Sequence, residues 1–392
     1  MNRSAEKELN QSFSRWKIWV GIGIGLIVSL FIIYSAWNES AYVEVAAGTG
    51  THEWIDSNKD GKVQSSGDLF REKQGGNFRI KSTQDALKSI DWNIHLVGWL
   101  FVDVLAVMAR DLFYIIRIRQ LTHHKLSWRS AFDTIMLWEF ASALAPGVIS
   151  GSAVAVFILN REKIPMGKAT AIVFSTTFLD NLFFVLIVPV VVMGFQQAEL
   201  VPAGLISPAV EGVFWFAYTL FTSVAVFFFL LLFVRPSFGK AVFHGFAKIK
   251  WLNRWRAQLE KIGEDSMPAA IVLKKERFRF WMTAFVYTSA SWLSRYVVIN
   301  VLIHAFVPMN VSDHLSIFSK QLVLWLTMRV SPTPGGSGVA EYAFTSLMSG
   351  FGSSLILIAF IALVWRMLSY FPYLVIGSLL LPSWLKKTRN RD

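Results

Sequence analysis

The segment Pro332-Thr-Pro-Gly-Gly-Ser-Gly-Val-Ala-Glu341 places two prolines and three glycines inside an apolar stretch, 315–350. In hydrocarbon, every backbone N–H and C=O that such a break frees costs several kcal/mol unless protein or cavity water satisfies it. A chain carrying this break at membrane depth must therefore bury it against other helices or let it line a wet cavity. A second apolar stretch, 132–158, is interrupted in the same way by Ala145-Pro146-Gly147-Val148-Ile149-Ser150-Gly151-Ser152.

Membrane depth is the correct setting. Runs long enough to cross a bilayer, which takes roughly 20 apolar residues, occur at 18–37, 93–116, 169–194, 209–234, 281–307 and 354–381. The chain is 54% hydrophobic and 16% charged, with a mean hydropathy of +0.46. The formal charge of +12 lies between the apolar runs, as cytoplasmic loops would place it, so nucleic acid is not an expected partner. Cysteine is absent, which excludes disulfides and thiolate metal sites. No phosphate loop of the G-x-x-x-x-G-K-[ST] type is present, so no built-in nucleotide engine is expected. The apolar run after Arg3, Lys7, Arg15 and Lys17 reads as a retained first helix. The alternative is a signal peptide cleaved near Ala46-Ala47.

Positive charge orients the chain. Segment 38–92 has seven Lys/Arg against nine Asp/Glu and reads as an outer, acidic insert. Segments 117–131 and 159–168, the loop 235–280 with eleven Lys/Arg against four acids, and the basic tail 386–392 read as cytoplasmic. Stretch 132–158 then begins and ends inside. With 27 residues it is too short for two spans. Stretch 315–350 begins and ends outside. The expected fold is an all-α polytopic membrane protein with about six full transmembrane helices and two re-entrant hairpins in an inverted repeat. Its parts are 1–37 (tail and first helix), 38–92 (insert), 93–385 (membrane domain) and the tail, with both termini cytoplasmic at the cell membrane. Two short, tilted spans in 315–350 would give the same end orientation. The loop 235–280, with basic residues interleaved among Trp251 and Trp255, suits the anionic inner leaflet or an ordinary solvated loop.

Charged residues at membrane depth are costly and functional by default. Arg295, Arg329 and Arg366 occur there, with Asp103, Glu139, Asp180 and Glu341. The bland alternative is internal ion pairing. Three arginines with two half-helix N-termini, one of them capped by Thr333 or Ser337, suit a phosphate. His123-His124, in a basic loop, read as solvated rather than metal-binding. In the outer insert, Asp56, Asn58, Asp60 and Lys62 match the start of a calcium loop. The twelfth position is Gly67, and Asp68 comes one residue late, so Ca2+ is a candidate ion beside a plain acidic turn.

The second break resembles the signature Pro-Gly-Gly-x-Gly-x-x-Glu of the flippase-like membrane domain of lysylphosphatidylglycerol synthases, through Pro334, Gly335, Gly336, Gly338 and Glu341. Arg366 and Tyr370 are similar to an arginine and tyrosine in that family's last helix. The first half resembles it more loosely. Pro146, Gly147 and Gly151 match the turn, Arg161 is similar to an arginine that follows it, and Asp180 matches the end of a Glu-Arg-x-x-Asp element in which Thr176-Thr177 here replace Glu-Arg. The resemblance covers about 93–385 and implies a lipid translocase. Its headgroup site would comprise Pro334, Gly335, Gly336, Ser337, Gly338, Glu341, Arg329, Arg366, Arg295, Tyr370, Pro146, Gly147, Gly151 and Asp180. It implies membrane lipids as partners, with a second copy and lipid-modifying enzymes as further candidates. With no soluble synthase domain in view, the chain is not expected to be an enzyme. The alternatives are a membrane transferase or accessory factor in glycan-lipid or aminoacyl-lipid metabolism, and a calcium-responsive scaffold.

Overall fold

A computed structural model describes residues 41–56, 69–81, 92–145, 151–194, 208–234, 274–351 and 355–389, with isolated positions elsewhere. The first span, 18–37, most of the 235–280 loop, and Pro146 and Gly147 fall outside these. So do the calcium-loop candidates Asn58, Asp60, Lys62 and Asp68; Asp56 directly follows a strand.

The protein is mostly helical. Helix α1 is Ile94–Leu121, α2 Trp128–Leu144, α3 Ser152–Arg161, α4 Met166–Gly194 and α5 Pro208–Phe229, which continues as a π turn through Val234. Then follow α6 Phe278–Phe306, α7 Val311–Val330, α8 Val339–Met348, α9 Leu355–Ser369 and α10 Phe371–Arg389. By length and composition, Met166–Val191, Trp215–Val234 and Leu355–Thr388 are apolar enough to cross a membrane.

Three expectations are corrected. The all-α expectation is corrected in the described part of the insert, which carries strands. Strands β1 Ala41–Glu44, β2 Gly50–Ile55, β3 Leu69–Gly76 and β4 Phe78–Lys81 form an antiparallel sheet in the order β1-β4-β2-β3. Its strands are short and largely polar, so they carry little apolar alternation. Aromatic packing holds the sheet instead: Tyr42 stacks on Phe70 at 3.8 Å between ring centres, and Phe70 meets Phe78 at 5.5 Å. The span 354–381 is two helices, parted at Tyr370. Pro372 has no N–H to give the Leu368 carbonyl, which fits a turn at this point. Finally, α1 runs on to Leu121, which makes Arg117 a helical residue rather than a loop charge.

Side chains from α1 to α4, α6 and α10 form one apolar cluster, including Ile118, Ile135, Leu159, Ile172, Ala284 and Tyr373. A second joins α1 and α6 to α9 through Ala106, Ile299, Leu324, Phe344 and Ile361. A third, largely aromatic, joins Phe183, Phe184, Trp292 and Tyr296. Helix α1 lies along α6, α2 packs on α3, and α7 packs on α8. Helix α10 closes on α2 at Gly377, where any Cβ would collide with the ring of the fully buried Phe140. Gly377→Val should destabilise the protein by about 1–3 kcal/mol through overpacking, read as a lowered thermal midpoint in detergent.

Candidate functional site

The two breaks meet. Backbone N–H of Gly335 donates to the carbonyl of Ala145, at the end of α2, at 3.4 Å. The Tyr370 hydroxyl donates to the carbonyl of Ala143 at 3.3 Å. Both acceptors belong to the last turn of α2, whose carbonyls have no partner within their own helix. The carbonyl of Gly335 in turn accepts from Nη2 of Arg366 at 3.2 Å. Each break thus supplies what the other lacks. Gly335 makes the contact because its φ is +57° and a Cβ there would strike the Tyr370 ring.

Helix α8 starts at Gly338, with φ +88°. Its first free N–H is taken by Oε2 of Glu341 at 2.6 Å, and Oε1 of the same carboxylate accepts from Nε of Arg366 at 2.7 Å. Both charges are only 2% exposed. The expected caps do not form. Thr333 hydrogen-bonds with Ser331 at 2.8 Å, and Ser337 is buried behind the turn. The N-terminus of α8 is therefore satisfied by an internal carboxylate rather than held open for an anion, which corrects the expectation of a free half-helix site.

In front of the turn lies a cavity of about 210 Å³. Of the sequence-derived residues, Asp180, Arg295, Arg329, Gly335, Gly336, Arg366 and Tyr370 line it. Pro334, Ser337, Gly338, Glu341 and Gly151 do not; they shape the breaks behind it, with Gly151 (φ +62°) preceding α3. Arg161, in the last turn of α3, lies against the Phe157 ring instead of the cavity. Its four arginines, Arg117, Arg295, Arg329 and Arg366, face two lining carboxylates, Glu139 and Asp180.

The pairing is uneven. Arg117 donates to Asp180 at 2.6 Å and to Thr288 at 3.0 Å, and the Trp292 indole also donates to Asp180, at 3.1 Å. Glu139 is held by Arg110 at 2.6 Å. Arg110 also donates to the Tyr373 hydroxyl at 2.6 Å, and Tyr373 donates to Asp111 at 2.9 Å. Arg295 reaches Glu139 only at 3.8 Å, and its Nε has no hydrogen-bond partner among the described residues. Arg329 has neither an ion pair nor a hydrogen bond among them; it lies 5.9 Å from the Trp292 ring and 5.7 Å from the Phe221 ring. Arg295 sits 4.8 Å from that same Trp292 ring and 4.6 Å from Trp325. Two guanidiniums thus share one indole, and the Glu139 carboxylate that faces both is already paired with Arg110. A site of this kind attracts an anion with several oxygens.

Sequence reasoning missed Arg110, Arg117, Asp111 and Tyr373. A signal existed: Asp103, Arg110, Tyr114 and Arg117 recur at seven, eleven and fourteen residues, one face of a helix. Asp103 itself is 0% exposed, lies outside the cavity lining, and neither carboxyl oxygen has a hydrogen-bond partner among the described residues.

Glu341→Gln should cost about 3–5 kcal/mol by orphaning the buried Arg366, and Glu341→Gln with Arg366→Met should cost less than the sum of the two single changes. Thermal unfolding of the four proteins checks this. Asp103→Leu should raise stability by about 1–3 kcal/mol in the same assay, since it removes an unpaired buried polar group.

Comparison with known proteins agrees with this architecture. Residues 77–377 match the family described as the lysylphosphatidylglycerol synthase TM region. A UPF0104 membrane protein from Archaeoglobus fulgidus is 23% identical over 309 residues, covering 76% of this chain and 88% of that protein. No solved structure matches. The matched span contains both glycine breaks and every cavity-lining residue, and the chain belongs to the lysylphosphatidylglycerol synthase TM-region family of membrane proteins.

Proposed function

We propose that this protein is a lipid translocase that carries a phosphate-bearing headgroup across the cell membrane while the acyl chains stay in lipid. The observation that carries the reading is the pair Arg295 and Arg329, two incompletely neutralised guanidiniums in a cavity among membrane helices. Moving a phosphate through hydrocarbon is costly because the charge loses its water. A polar cavity lowers that barrier by replacing water with fixed donors.

In this reading α2–α3 and α7–α8 are re-entrant hairpins, one entered from the cytoplasm and one from outside, whose turns meet near the midplane. Support comes from the length of α3 and α8 and from the hydrogen bond of Gly335 to Ala145 at the end of α2. Helices α3 and α8 have 10 residues each, so they reach about 15 Å, half of a hydrocarbon core of about 30 Å. The positive tail and the basic loop 235–280 favour cytoplasmic termini. The chain acts in transport rather than chemistry, and direction comes from a gradient or from later use of the lipid.

The test is reconstitution into vesicles with a headgroup-labelled phospholipid and a membrane-impermeant quencher. The wild type should expose inner-leaflet label faster than protein-free vesicles. Arg295→Gln with Arg329→Gln should slow that exposure by about tenfold or more, the loss of one or two charge-assisted hydrogen bonds. Equal rates with and without wild-type protein would overturn the reading.

A further inference from the structure

We propose that Asp103 is a proton-binding site, reached through His304 and His314 at the outer end of α6 and α7, and that its proton is exchanged in each translocation cycle. This supplies a driving ion for the site in the preceding subsection and rests on that reading.

Asp103 lies on the buried face of α1, outside the cavity, and is 0% exposed. Its neighbours along α1, Leu100, Ala106 and Val107, pack in the apolar cluster with Ile299, Leu302 and Ile361. Among the described residues neither carboxyl oxygen has a hydrogen-bond partner, and no charged group acts on it. The helices packed on α1 are α2, α6 and α9, and their charges are spent elsewhere. Arg366, the sole charged residue of α9, is held by Glu341. On α2, Asp133 is held by Lys387 and Glu139 by Arg110. On α6, Arg295 lines the cavity. On α1 itself, His95 is exposed near the helix start, and Arg110 and Asp111 lie about two turns inward. A carboxylate ion in this setting would bear the full cost of losing its water, so the group holds a proton instead. An apolar side chain would pack there at lower cost, so packing gives no reason for an acid.

The register of α1 against α6 places the histidines. Arg117 donates to Thr288 at 3.0 Å, the Ser291 hydroxyl donates to the Arg110 carbonyl at 2.9 Å, and the Trp99 ring meets His304 at 4.7 Å. The two helices are therefore antiparallel, and Asp103 falls opposite the turn of α6 that carries Asn300. His304 is one turn further out, about 6 Å along the axis. Its ring centre is 5.2 Å from that of His314 on α7, and its Nδ1 has no hydrogen-bond partner among the described residues. His314 donates from Nδ1 to Oδ1 of Asn300 at 3.1 Å, which leaves its Nε2 as an acceptor. Both rings are partly exposed, and imidazole gains and loses a proton near neutral pH, so the pair passes protons between water and Asp103. Toward the cavity the way is shut. Helix α1 has no polar side chain from Val104 to Ala109, and Asp111 is about 12 Å further along the axis. A proton reached from one side and closed off from the other does not leak, as alternating access requires.

The first measurement is infrared spectroscopy of the purified full chain in detergent at neutral pH. The wild type should show the carbonyl stretch of an un-ionised carboxylic acid, and Asp103→Leu should lack it. His304→Phe with His314→Phe should slow the shift of that band in heavy water by about tenfold or more. The second measurement is the vesicle assay with a step of about two pH units across the membrane, which allows a bias in lipid distribution of up to about a hundredfold per proton. In the wild type, a label that starts even should become biased between leaflets by at least about threefold. Asp103→Leu should lose the bias, and Asp103→Glu should keep it. A missing band, or one unchanged in Asp103→Leu, overturns the proton site and leaves translocation standing. An even distribution in the wild type, or an equal bias in Asp103→Leu, overturns the coupling and likewise leaves translocation standing. Absence of translocation in every vesicle overturns the preceding reading and this proposal together.

Discussion

Backbone groups freed at a helix break have to find partners, and in hydrocarbon water cannot supply them. That constraint organises this protein. The break at 332–338 gives its Gly335 N–H to α2, takes Arg366 onto its Gly335 carbonyl, and gives its Gly338 N–H to Glu341. The end of α2 has its carbonyls at Ala143 and Ala145 satisfied by Tyr370 and Gly335. Arg366 and Tyr370 come from the α9–α10 junction, so three separate parts of the chain converge on one point. Nothing larger than glycine fits at position 335, because the Tyr370 ring occupies the space.

Charge follows the same economy with one exception. Most ionic groups at depth are paired closely: Glu341 with Arg366, Asp180 with Arg117, Glu139 with Arg110. These pairs tie α8 to α9, α1 to α4 and α1 to α2, and removing one partner leaves a buried charge stranded. Arg295 and Arg329 depart from the pattern. Their guanidiniums rest on indole faces, which hold a cation in place without neutralising it. The paired arginines stack as well, Arg117 on Tyr114 at 4.7 Å and Arg366 on Tyr370 at 4.5 Å, so the difference lies in how closely a carboxylate approaches.

Several of these features were legible in the chain itself. The prolines and glycines of both breaks, the arginines at 295, 329 and 366, and Asp180 and Glu341 stand out because charge and helix-breaking residues are rare in apolar runs. What periodicity could not give was each residue's role. Glu341 reads as a substrate-facing acid but is a cap and ion-pair partner. Arg117 reads as a loop charge because it follows the last strongly apolar residues of α1, although the helix carries it to a buried position beside Asp180. The sheet gave little signal, since its strands are short and largely polar, and its aromatic contacts, Tyr42 on Phe70 and Phe70 on Phe78, form only once the strands pair.

Composition and the order of apolar runs by themselves determined that this is a helical membrane protein with two interrupted segments, because the bilayer allows few other solutions to such a pattern. The resemblance in the second break pointed to its family. Tertiary structure alone decided which arginines are paired. Pairing depends on distances of a few ångströms between α1, α2, α4, α6, α7 and α9, and no local pattern encodes those distances. That outcome leaves Arg295 with only a 3.8 Å approach to Glu139, and Arg329 with no ion pair or hydrogen bond among the described residues.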